Sequence, residues 1–314
     1  MDPWGERSKL MKADVICPRF QSPTLARAGD LLQLARPRLA LLVLVTVGAG
    51  WLLAAANGAS CVPLLHALIG TSLLFAGASA LNQLLERNSD ALMPRTSNRP
   101  LPAARLQSRE VLVLGCMLSA AGLADLVAAG QLLGVGLGVF ALITYVLIYT
   151  PLKTQTTLNT LIGAIAGAVP ALIGWAAARG RLDVGAMVLF LIVFLWQVPH
   201  FLAIAWIYRD EYRAAGLKML PISDPEGIQT GRQMIRYTLV LIIASVVPCA
   251  LGLGSWMSAS GAVVLGGVFL YAAAVFTRTP TTHQARQVFR ASLVFLPTLF
   301  LFFVLDALVN GTWS

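Results

Sequence analysis

Long apolar stretches alternate with short polar ones along most of the chain. An apolar run of about 20 residues can cross a hydrocarbon core of roughly 30 Å as a helix that satisfies its own backbone hydrogen bonds. The pattern predicts nine such spans, at residues 39–56, 62–85, 111–129, 132–149, 158–178, 184–207, 235–253, 256–276 and 291–309. With 57% hydrophobic and 12% charged residues, the composition also lies far from that of soluble domains. We therefore predict an all-α, polytopic membrane protein with nine transmembrane helices.

Lysine and arginine residues support both the number of spans and their orientation. If the N-terminus is cytoplasmic, all but two of the 23 basic residues fall in the N-terminal segment or in inner loops, and only Arg179 and Arg181 lie outside. This positive-inside pattern predicts a C-terminus on the outer side. The net charge of +9 then gathers on one face, where it suits anionic lipids and attracts a polyanionic substrate. Because topology explains the charge, no nucleic-acid partner is needed.

The N-terminal segment and the cysteines limit the domain organisation. Residues 1–30 mix charge, Pro and Ser without an apolar core, so we expect a flexible cytoplasmic tail and not a cleavable signal peptide. Residues 31–314 are then expected to form a single membrane domain. The four cysteines are scattered without a CxxC pair, which indicates neither a disulfide framework nor a thiolate metal site.

Ionisable residues are rare inside the predicted spans, where they are costly. His66, Asp125 and Asp306 lie near outer ends, and we expect structural or interfacial roles for them. Polar residues cluster instead in three inner loops, at 86–110, 150–157 and 208–234. A functional site is therefore expected at the cytoplasmic mouth of a central cavity between the helices.

Asn82, Glu86 and Asp90 recur every four residues where the second span ends, in the stretch NQLLERNSD. Residues four apart on an α-helix are offset by about 40°, so these three form one stripe, whereas Asn88 faces the opposite side. Mg²⁺ prefers such hard oxygen ligands and bridges phosphates. On spacing alone, a solvated helix end explains the stripe equally well.

Basic residues follow the acidic stripe. Arg95 and Arg99 come directly after it, and their planar guanidinium groups suit phosphate oxygens. In the second inner loop, Pro151 is expected to end span four and to leave Lys153 at the mouth of the bundle. Lys153 can serve either as a phosphate contact or as a topology anchor.

A third polar region follows the sixth span, within residues 194–221. Pro199 is expected to kink the helix where His200 enters. Asp210 and Glu211 form a second acidic group, and Glu211 shares a face with His200 if the helix continues for three turns. A histidine beside a kink acts either as a hydrogen-bonding plug or as a ligand, and the spacing leaves both roles open.

Taken together, these segments resemble the UbiA-type superfamily of intramembrane prenyltransferases. NQLLERNSDALMPRTSNRPLP is similar to the first Asp-rich motif and the Arg-Thr-x-Asn-Arg-Pro segment after it. YTPLK with LIGAIAGAVPALIGWAAARG is similar to the fifth-helix signature. WQVPHF with DEYRAAGLKMLP resembles the branch that farnesylates haem and differs from the quinone-pathway enzymes. The resemblance extends over residues 34–221 and weakens in the C-terminal third.

The resemblance implies a bacterial inner-membrane enzyme that transfers a farnesyl group from farnesyl diphosphate to the 2-vinyl group of haem b. It implies that the Mg²⁺ ligands are Asn82, Glu86, Asp90, Asp210 and Glu211. These five residues and Lys153 form the implied catalytic set. It implies diphosphate contacts from Arg36, Arg95, Arg99 and Lys153. Trp196 and His200 are expected near the haem. A haem a synthase stays open as a physical partner.

The chain departs from the family pattern at three positions. The family usually has Asp where this chain has Glu86 and often Asp where it has Asn88, and its second motif has Asp directly before Tyr, where this chain has Glu211. Glu keeps the charge and lengthens the arm by one methylene, so we expect a working site. One alternative is the same chemistry on a quinone or chlorophyll precursor. Another is a transporter, which would place ionisable groups near the bilayer midplane.

Overall fold

The computed structural model describes residues 23–55 and 59–310, and the regular elements of these residues are all helices. The helices are α1 Pro23–Ala35, α2 Pro37–Ala54, α3 Val62–Ala91, α4 Ser108–Ala128, α5 Leu132–Leu142, α6 Thr150–Leu152, α7 Asn159–Arg179, α8 Val184–Ile207, α9 Arg209–Ala214, α10 Leu220–Ser223, α11 Ile228–Ala250, α12 Trp256–Arg278 and α13 Thr282–Asn310. A π-helical segment, Ile143–Tyr149, joins α5 to α6. Within the described ranges, nine helical stretches are long and apolar enough to cross a membrane, which confirms the prediction.

The N-terminal segment is described only from Pro23 onward. Helix α1 begins there, inside the segment 1–30 that was expected to be a flexible tail, and residues 1–22 of that expected tail lie outside the described residues. Helix α1 leads into the first span after a break at Arg36. The first transmembrane stretch is therefore preceded by ordered helix.

Helices α7 and α8 form the centre of the bundle, with α2, α11 and α13 packed around them. Both central helices bury most of their length, including the large side chain of Trp206. Helix α2 lies unusually close to α7. A Cβ added at Gly50 would clash with the carbonyl oxygen of Ala171, and one added at Gly174 would clash with that of Val47. Small residues permit this approach, as is common between membrane helices.

Arg36 lies at the break between α1 and α2, in the left-handed region with φ 48°. A non-glycine residue there is strained, and such strain often marks a functional position. The break is stabilised from α3, because Ser79 Oγ and Gln83 Nε2 donate to the carbonyl oxygen of Leu34 at 2.7 and 2.9 Å. Pro37 then starts α2 with its φ already suited to a helix. These contacts direct the Arg36 side chain toward α3.

The three ionisable residues near the outer ends have structural partners. His66 Nδ1 lies 3.1 Å from Asp125 Oδ1, which links α3 to α4. Asp306 accepts a hydrogen bond at 2.8 Å from the backbone N–H of Ser255, the residue that caps α12. These contacts agree with the structural roles expected for the three residues.

Candidate active site

The acidic stripe lies on one uninterrupted helix. Helix α3 continues to Ala91, so Asn82, Glu86 and Asp90 all belong to it. Asn82 and Asp90 are buried and Glu86 is half-buried, whereas Asn88 is exposed. The predicted stripe and the opposite position of Asn88 are confirmed.

Asn82 connects three separate elements. Its Nδ2 donates to Thr150 Oγ1 at 3.0 Å, and its Oδ1 accepts from Arg36 Nη2 at 3.4 Å. Thr150 in turn donates to the carbonyl oxygen of Tyr145 in the π-helical segment at 2.8 Å. Segments of π-helix are rare and often occur at functional sites. Thr150 belongs to the YTPLK motif, but helical periodicity did not indicate its role, because the local π-helical winding changes which face it occupies.

Glu86 forms an ion pair with Lys153, whose Nζ lies 2.5 Å from Glu86 Oε1. The two side chains are only 14% and 12% exposed. Lys153 also lies over the ring of Tyr149, 4.4 Å from its centroid. Burial lowers the pKa of Lys153, but Tyr149 and Glu86 outweigh this effect and the net pKa is raised. Lys153 is therefore a permanent cation at neutral pH.

Asp90 forms a second ion pair, with Arg99 Nη1 at 2.6 Å from Asp90 Oδ2. Thr96 holds the intervening turn, because its hydroxyl donates to the carbonyl oxygen of Asp90 at 2.9 Å. Burial and the nearby charge of Arg36 lower the pKa of Arg99, against the effect of Asp90. A guanidinium pKa starts so high that Arg99 still stays charged at neutral pH.

Two carboxylates thus face three cations. Glu86 and Asp90 are each paired with a cation, Lys153 and Arg99, and Arg36 reaches the same stripe at Asn82, so three basic side chains meet two carboxyl groups. The excess positive charge is partly screened from water by burial, so it attracts an anion more strongly than an exposed cluster would. This cluster, which we call the charged cluster, confirms that Arg36, Arg99 and Lys153 gather beside the acidic stripe.

Arg95 lies outside the charged cluster. Its Nη2 donates to the hydroxyl of Tyr212 at 3.2 Å, and its guanidinium lies 4.5 Å from the ring centroid of Tyr208. Below this contact, Met93 packs into a small buried group with Leu217. Arg95 therefore joins the loop after α3 to the region of α9, and its side chain has protein partners where a phosphate contact was expected.

The acidic end of α3 and the acidic helix α9 are joined by the contact of Arg95 with Tyr212 and by the loop that carries Lys153. The backbone N–H of Lys218 donates to the carbonyl oxygen of Lys153 at 2.6 Å, and Asn159 Nδ2 donates to the carbonyl oxygen of Lys218 at 2.8 Å. Loops 92–107, 153–158 and 208–227 consequently meet at one end of the bundle, which we call the polar end.

Asp210 and Glu211 differ sharply. The Asp210 side chain is 80% exposed and pairs with Arg213 at 3.3 Å. Glu211 Oε2 is buried, and among the residues that the structure describes it has no hydrogen-bond partner. The geometry favours Glu211 as the second acidic group. Helix α8 ends at Ile207 and α9 begins at Arg209, so the condition for a shared face with His200, one continuous helix, is not met.

Trp196 and His200 lie on α8 and contact α13, and their hydrogen bonds are separate from those of the charged cluster. His200 Nδ1 lies 2.7 Å from Ser292 Oγ, and Trp196 Nε1 donates to the carbonyl oxygen of Ser292 at 2.7 Å. The two rings stack with centroids 4.8 Å apart. Nothing in the sequence pointed to Ser292, which belongs to an apolar stretch without a recognisable motif.

The donor atoms of the polar end fit Mg²⁺. Within the described residues, no three acidic, histidine or cysteine side chains form a group that could hold a metal ion by themselves. Mg²⁺ is usually bound by one or two carboxylates together with substrate phosphates and water, so such a cage is not required. Glu86 and Asp90 supply hard oxygen atoms, and the partnerless Oε2 of Glu211 supplies another.

A nine-span bundle with this polar end has the architecture of an intramembrane prenyltransferase. The profile of the UbiA prenyltransferase family matches residues 42–304, and the chain belongs to that family. The protoheme IX farnesyltransferase of Solibacter usitatus is 40% identical over 286 residues, covering 88% of this chain and 98% of the relative. The protoheme IX farnesyltransferase of Myxococcus xanthus is 43% identical over 283 residues, covering 89% of this chain and 95% of the relative.

A solved structure shares the fold at much lower identity. A UbiA homolog from Archaeoglobus fulgidus, determined bound to DMAPP and Mg²⁺, superposes with a TM-score of 0.65 at 16% sequence identity. The match covers 85% of this chain and 99% of that one. The likeness shows the helical fold, and the family match together with the two farnesyltransferase relatives confirms the resemblance drawn from the sequence motifs.

Proposed function

We propose that this protein is a protoheme IX farnesyltransferase that makes haem o and diphosphate from haem b and farnesyl diphosphate. The relatives from Solibacter usitatus and Myxococcus xanthus, similar over nearly their whole length, carry that name. The structural observation that supports the proposal most directly is the charged cluster, in which Lys153 and Arg99 are already positioned beside two carboxylates. Such a cluster matches a diphosphate better than a neutral substrate.

The reaction breaks the allylic C1–O bond of farnesyl diphosphate, and both bonding electrons leave with the diphosphate. Catalysis therefore requires stabilisation of negative charge on the leaving group. Mg²⁺ held by Glu86, Asp90 and Glu211, with Asn82 beside them, would supply Lewis-acid stabilisation of the phosphate oxygens. Lys153, Arg36 and Arg99 donate hydrogen bonds to the same oxygens. Asn82 orients Arg36 through the bond at its Oδ1.

The acceptor step uses the vinyl group of haem. The π electrons of the vinyl group form a bond to C1 of the farnesyl cation, and the positive charge moves to the carbon next to the porphyrin. Water adds there and loses a proton, which leaves the hydroxyethylfarnesyl side chain of haem o. The apolar bundle shelters the first cation from water until the new bond has formed.

We also propose a bacterial inner membrane with the polar end on the cytoplasmic side. The support is the positive-inside distribution, with only Arg179 and Arg181 of the 23 basic residues on the opposite side. Both substrates would then reach the charged cluster from the cytoplasmic leaflet. Binding to a haem a synthase stays a prediction.

Reconstitution tests the function. The purified protein in lipid vesicles receives Mg²⁺, haem b and farnesyl diphosphate, and pigments are extracted and identified by mass. We expect haem o to form only when Mg²⁺ is present. A parallel reaction replaces haem b with a quinone precursor, and a prenylated quinone precursor without haem o would refute the proposal.

A matched pair of variants locates the chemistry. Glu86→Gln should lower the rate roughly 100-fold, because removal of one preorganised electrostatic group typically costs that much. Glu226→Gln is the control, since Glu226 is exposed in the same end of the molecule and has no role in the charged cluster. Equal rates in the two variants would refute the role of Glu86.

A further inference from the structure

We infer that Arg105 is a positioning residue that holds Arg36 and Arg99 in place for the diphosphate. The inference rests on the proposed function for the identity of that ligand. Arg105 lies in the loop between α3 and α4, outside the charged cluster, and its side chain joins this loop to helix α1. We call the hydrogen bonds of Arg105 with Asp30, Gln33 and Asn98 the Arg105 clamp.

The Arg105 clamp is built on a single guanidinium group. On the side of α1, Nε donates to Asp30 Oδ1 at 2.8 Å and Nη2 donates to Gln33 Oε1 at 3.3 Å. On the side of the loop, Nη1 donates to Asn98 Oδ1 at 2.9 Å and Nη2 donates to the carbonyl oxygen of Asn98 at 3.0 Å. A guanidinium group has five N–H donors, and these bonds use all but one of them. Arg105 therefore connects two segments of the protein and is not itself open to a phosphate.

Each side of the Arg105 clamp leads directly to a cation of the charged cluster. The carbonyl oxygen of Gln33 accepts from the backbone N–H of Arg36 at 3.3 Å. Asn98 is followed immediately by Arg99, whose backbone N–H donates to the carbonyl oxygen of Thr96 at 2.9 Å. A shift of α1 against the loop would consequently change the separation of the two cations.

The two cations repel each other, which gives the Arg105 clamp a physical purpose. Burial and the nearby positive charge of Arg36 lower the pKa of Arg99, against the effect of Asp90. Asp90 attaches Arg99 to α3, but this ion pair does not attach the loop to α1. The contact of Arg105 with Asp30 does, and the Asp30 side chain is only 16% exposed. The Arg105 clamp thus keeps two like charges together until a diphosphate neutralises them.

Backbone strain lies on both sides of the same connection. In the part of the chain that the structure describes, two residues other than glycine have a positive φ, namely Arg36 at 48° and Ala104 at 55°. Arg36 ends the segment that the Arg105 clamp holds on α1, and Ala104 directly precedes Arg105. Strained residues of this kind persist where the surrounding contacts fix them, and they cluster at functional sites.

An apolar cluster beneath the Arg105 clamp allows the inference to be tested in folded variants. Leu34 of α1 is buried together with Leu101 and Leu106 of the loop. Ser79 and Gln83 of α3 also donate to the carbonyl oxygen of Leu34. Helix α1 therefore stays attached when the guanidinium group is removed, and only its exact position relative to the loop is released.

The test measures the affinity of the purified protein in detergent for inorganic pyrophosphate in the presence of Mg²⁺, by isothermal titration calorimetry. This probe needs neither haem nor a farnesyl chain, so it reports on the charged cluster alone. Arg105→Gln should weaken binding about 10-fold, because small displacements of preorganised groups have effects of this size or larger. The affinity for haem b should stay the same.

Arg27→Gln is the matched control on the same helix. Arg27 also joins α1 to a neighbouring element, but its ion-pair partner Glu110 lies on α4, and the Arg27 side chain is 62% exposed. Exposed ion pairs contribute little, so the affinity for pyrophosphate should stay within about 2-fold of the wild-type value. An equal loss in Arg27→Gln and Arg105→Gln would show that any attachment of α1 has the same effect, and would overturn the role of Arg105.

Arg105→Lys separates position from charge. Lysine keeps the positive charge but cannot donate to these acceptors with the planar geometry of a guanidinium group. Arg105→Lys should therefore bind pyrophosphate nearly as weakly as Arg105→Gln. Wild-type affinity in Arg105→Lys would show that Arg105 acts through its charge, and would overturn the positioning role.

A double-mutant cycle with Arg36 separates positioning from stability. If Arg105 acts through Arg36, Arg105→Gln should weaken binding less in the Arg36→Gln background, because one of the groups to be positioned is gone. A residue that only stabilises the fold would lower the unfolding midpoint in both backgrounds and leave the affinity of the folded proteins unchanged. That result, or strictly additive losses of affinity, would overturn the inference.

The formation of haem o is measured separately in the wild-type protein. Absence of haem o, together with the expected losses of pyrophosphate affinity in the Arg105 variants, would contradict the proposed function and support the Arg105 clamp. Formation of haem o, together with an unchanged pyrophosphate affinity in Arg105→Gln, would overturn the Arg105 clamp alone.

Discussion

Lys153→Met separates the structural and the chemical roles of the charged cluster. The substitution keeps the apolar stem of the side chain and removes the ammonium group, which leaves Glu86 as a carboxylate that is only 14% exposed. Deletion of one partner of a buried ion pair typically costs about 3–5 kcal/mol, because the other charge stays buried without compensation. Arg36 and Arg99 also act on the charge of Glu86, so we expect a loss of roughly 3 kcal/mol.

The assay is thermal unfolding in detergent, first with a chelator and then with increasing Mg²⁺ and diphosphate. In chelator, a loss of this size should lower the midpoint by roughly 5 °C, because the unfolding entropy grows with chain length. Lys218→Met is the control, since the Lys218 side chain is exposed and only its backbone joins the neighbouring loop. It should unfold within about 2 °C of the wild-type protein.

Addition of Mg²⁺ gives the decisive comparison. If Glu86 is a metal ligand, Mg²⁺ can neutralise it in place of Lys153, so Lys153→Met should gain more stability from Mg²⁺ than the wild-type protein does. Saturation at 100 times the dissociation constant stabilises a binding protein by about 2.7 kcal/mol, enough to recover most of the loss. Glu86→Gln should gain less than the wild-type protein. Equal gains in all three proteins would refute the assignment of Glu86 as a ligand.

Three further substitutions test neighbouring parts of the structure. Gly50→Ala should destabilise the protein by about 1–3 kcal/mol through overpacking against α7. Gly48→Ala, on the same helix, meets open space and should leave stability unchanged. Equal unfolding midpoints of the two variants would contradict the close packing of α2 on α7. Glu211→Gln should lower Mg²⁺-dependent turnover at least 10-fold and Asp210→Asn less than 2-fold, because Oε2 of Glu211 is buried whereas the Asp210 side chain is exposed. The reverse order of the two steady-state rates would contradict the geometry. Arg95→Lys keeps the charge but loses the planar stack on Tyr208, so hydrogen exchange in loop 92–107 should accelerate. The affinity for diphosphate should change little, and a large loss of that affinity would show a direct phosphate contact.

Much of the acidic stripe and of its surroundings was predictable because the signals are local. Residues at positions i and i+4 share a helix face regardless of what packs against them, which is why Asn82, Glu86 and Asp90 lie together as expected. Arg36, Arg99 and Lys153 could be assigned to the same end because alternate spans return the chain to the same side of the membrane. Glu86 and Lys153 are 67 residues apart in the sequence, yet the topology places them at the same end.

Side-chain partners across the bundle were less predictable. Arg95 lies against Tyr208 and Tyr212, a contact between the loop after α3 and α9 that no local pattern indicated, and its phosphate contact stays a prediction. The two adjacent acids Asp210 and Glu211 were indistinguishable by sequence. Both lie on α9, where neighbouring residues point about 100° apart, and the packing of α9 leaves Asp210 exposed and encloses Oε2 of Glu211.

The sequence by itself determined the membrane class, the nine spans and the chemical character of the polar end, because the bilayer demands apolar runs of fixed length and helical periodicity orders residues within each run. Only the tertiary structure decided which charges pair, how the π-helical turn brings Thr150 to Asn82, and that Ser292 orients His200. Ser292 and His200 are 92 residues apart in the sequence. Contacts between such distant residues depend on how whole helices pack, and no local pattern records that packing.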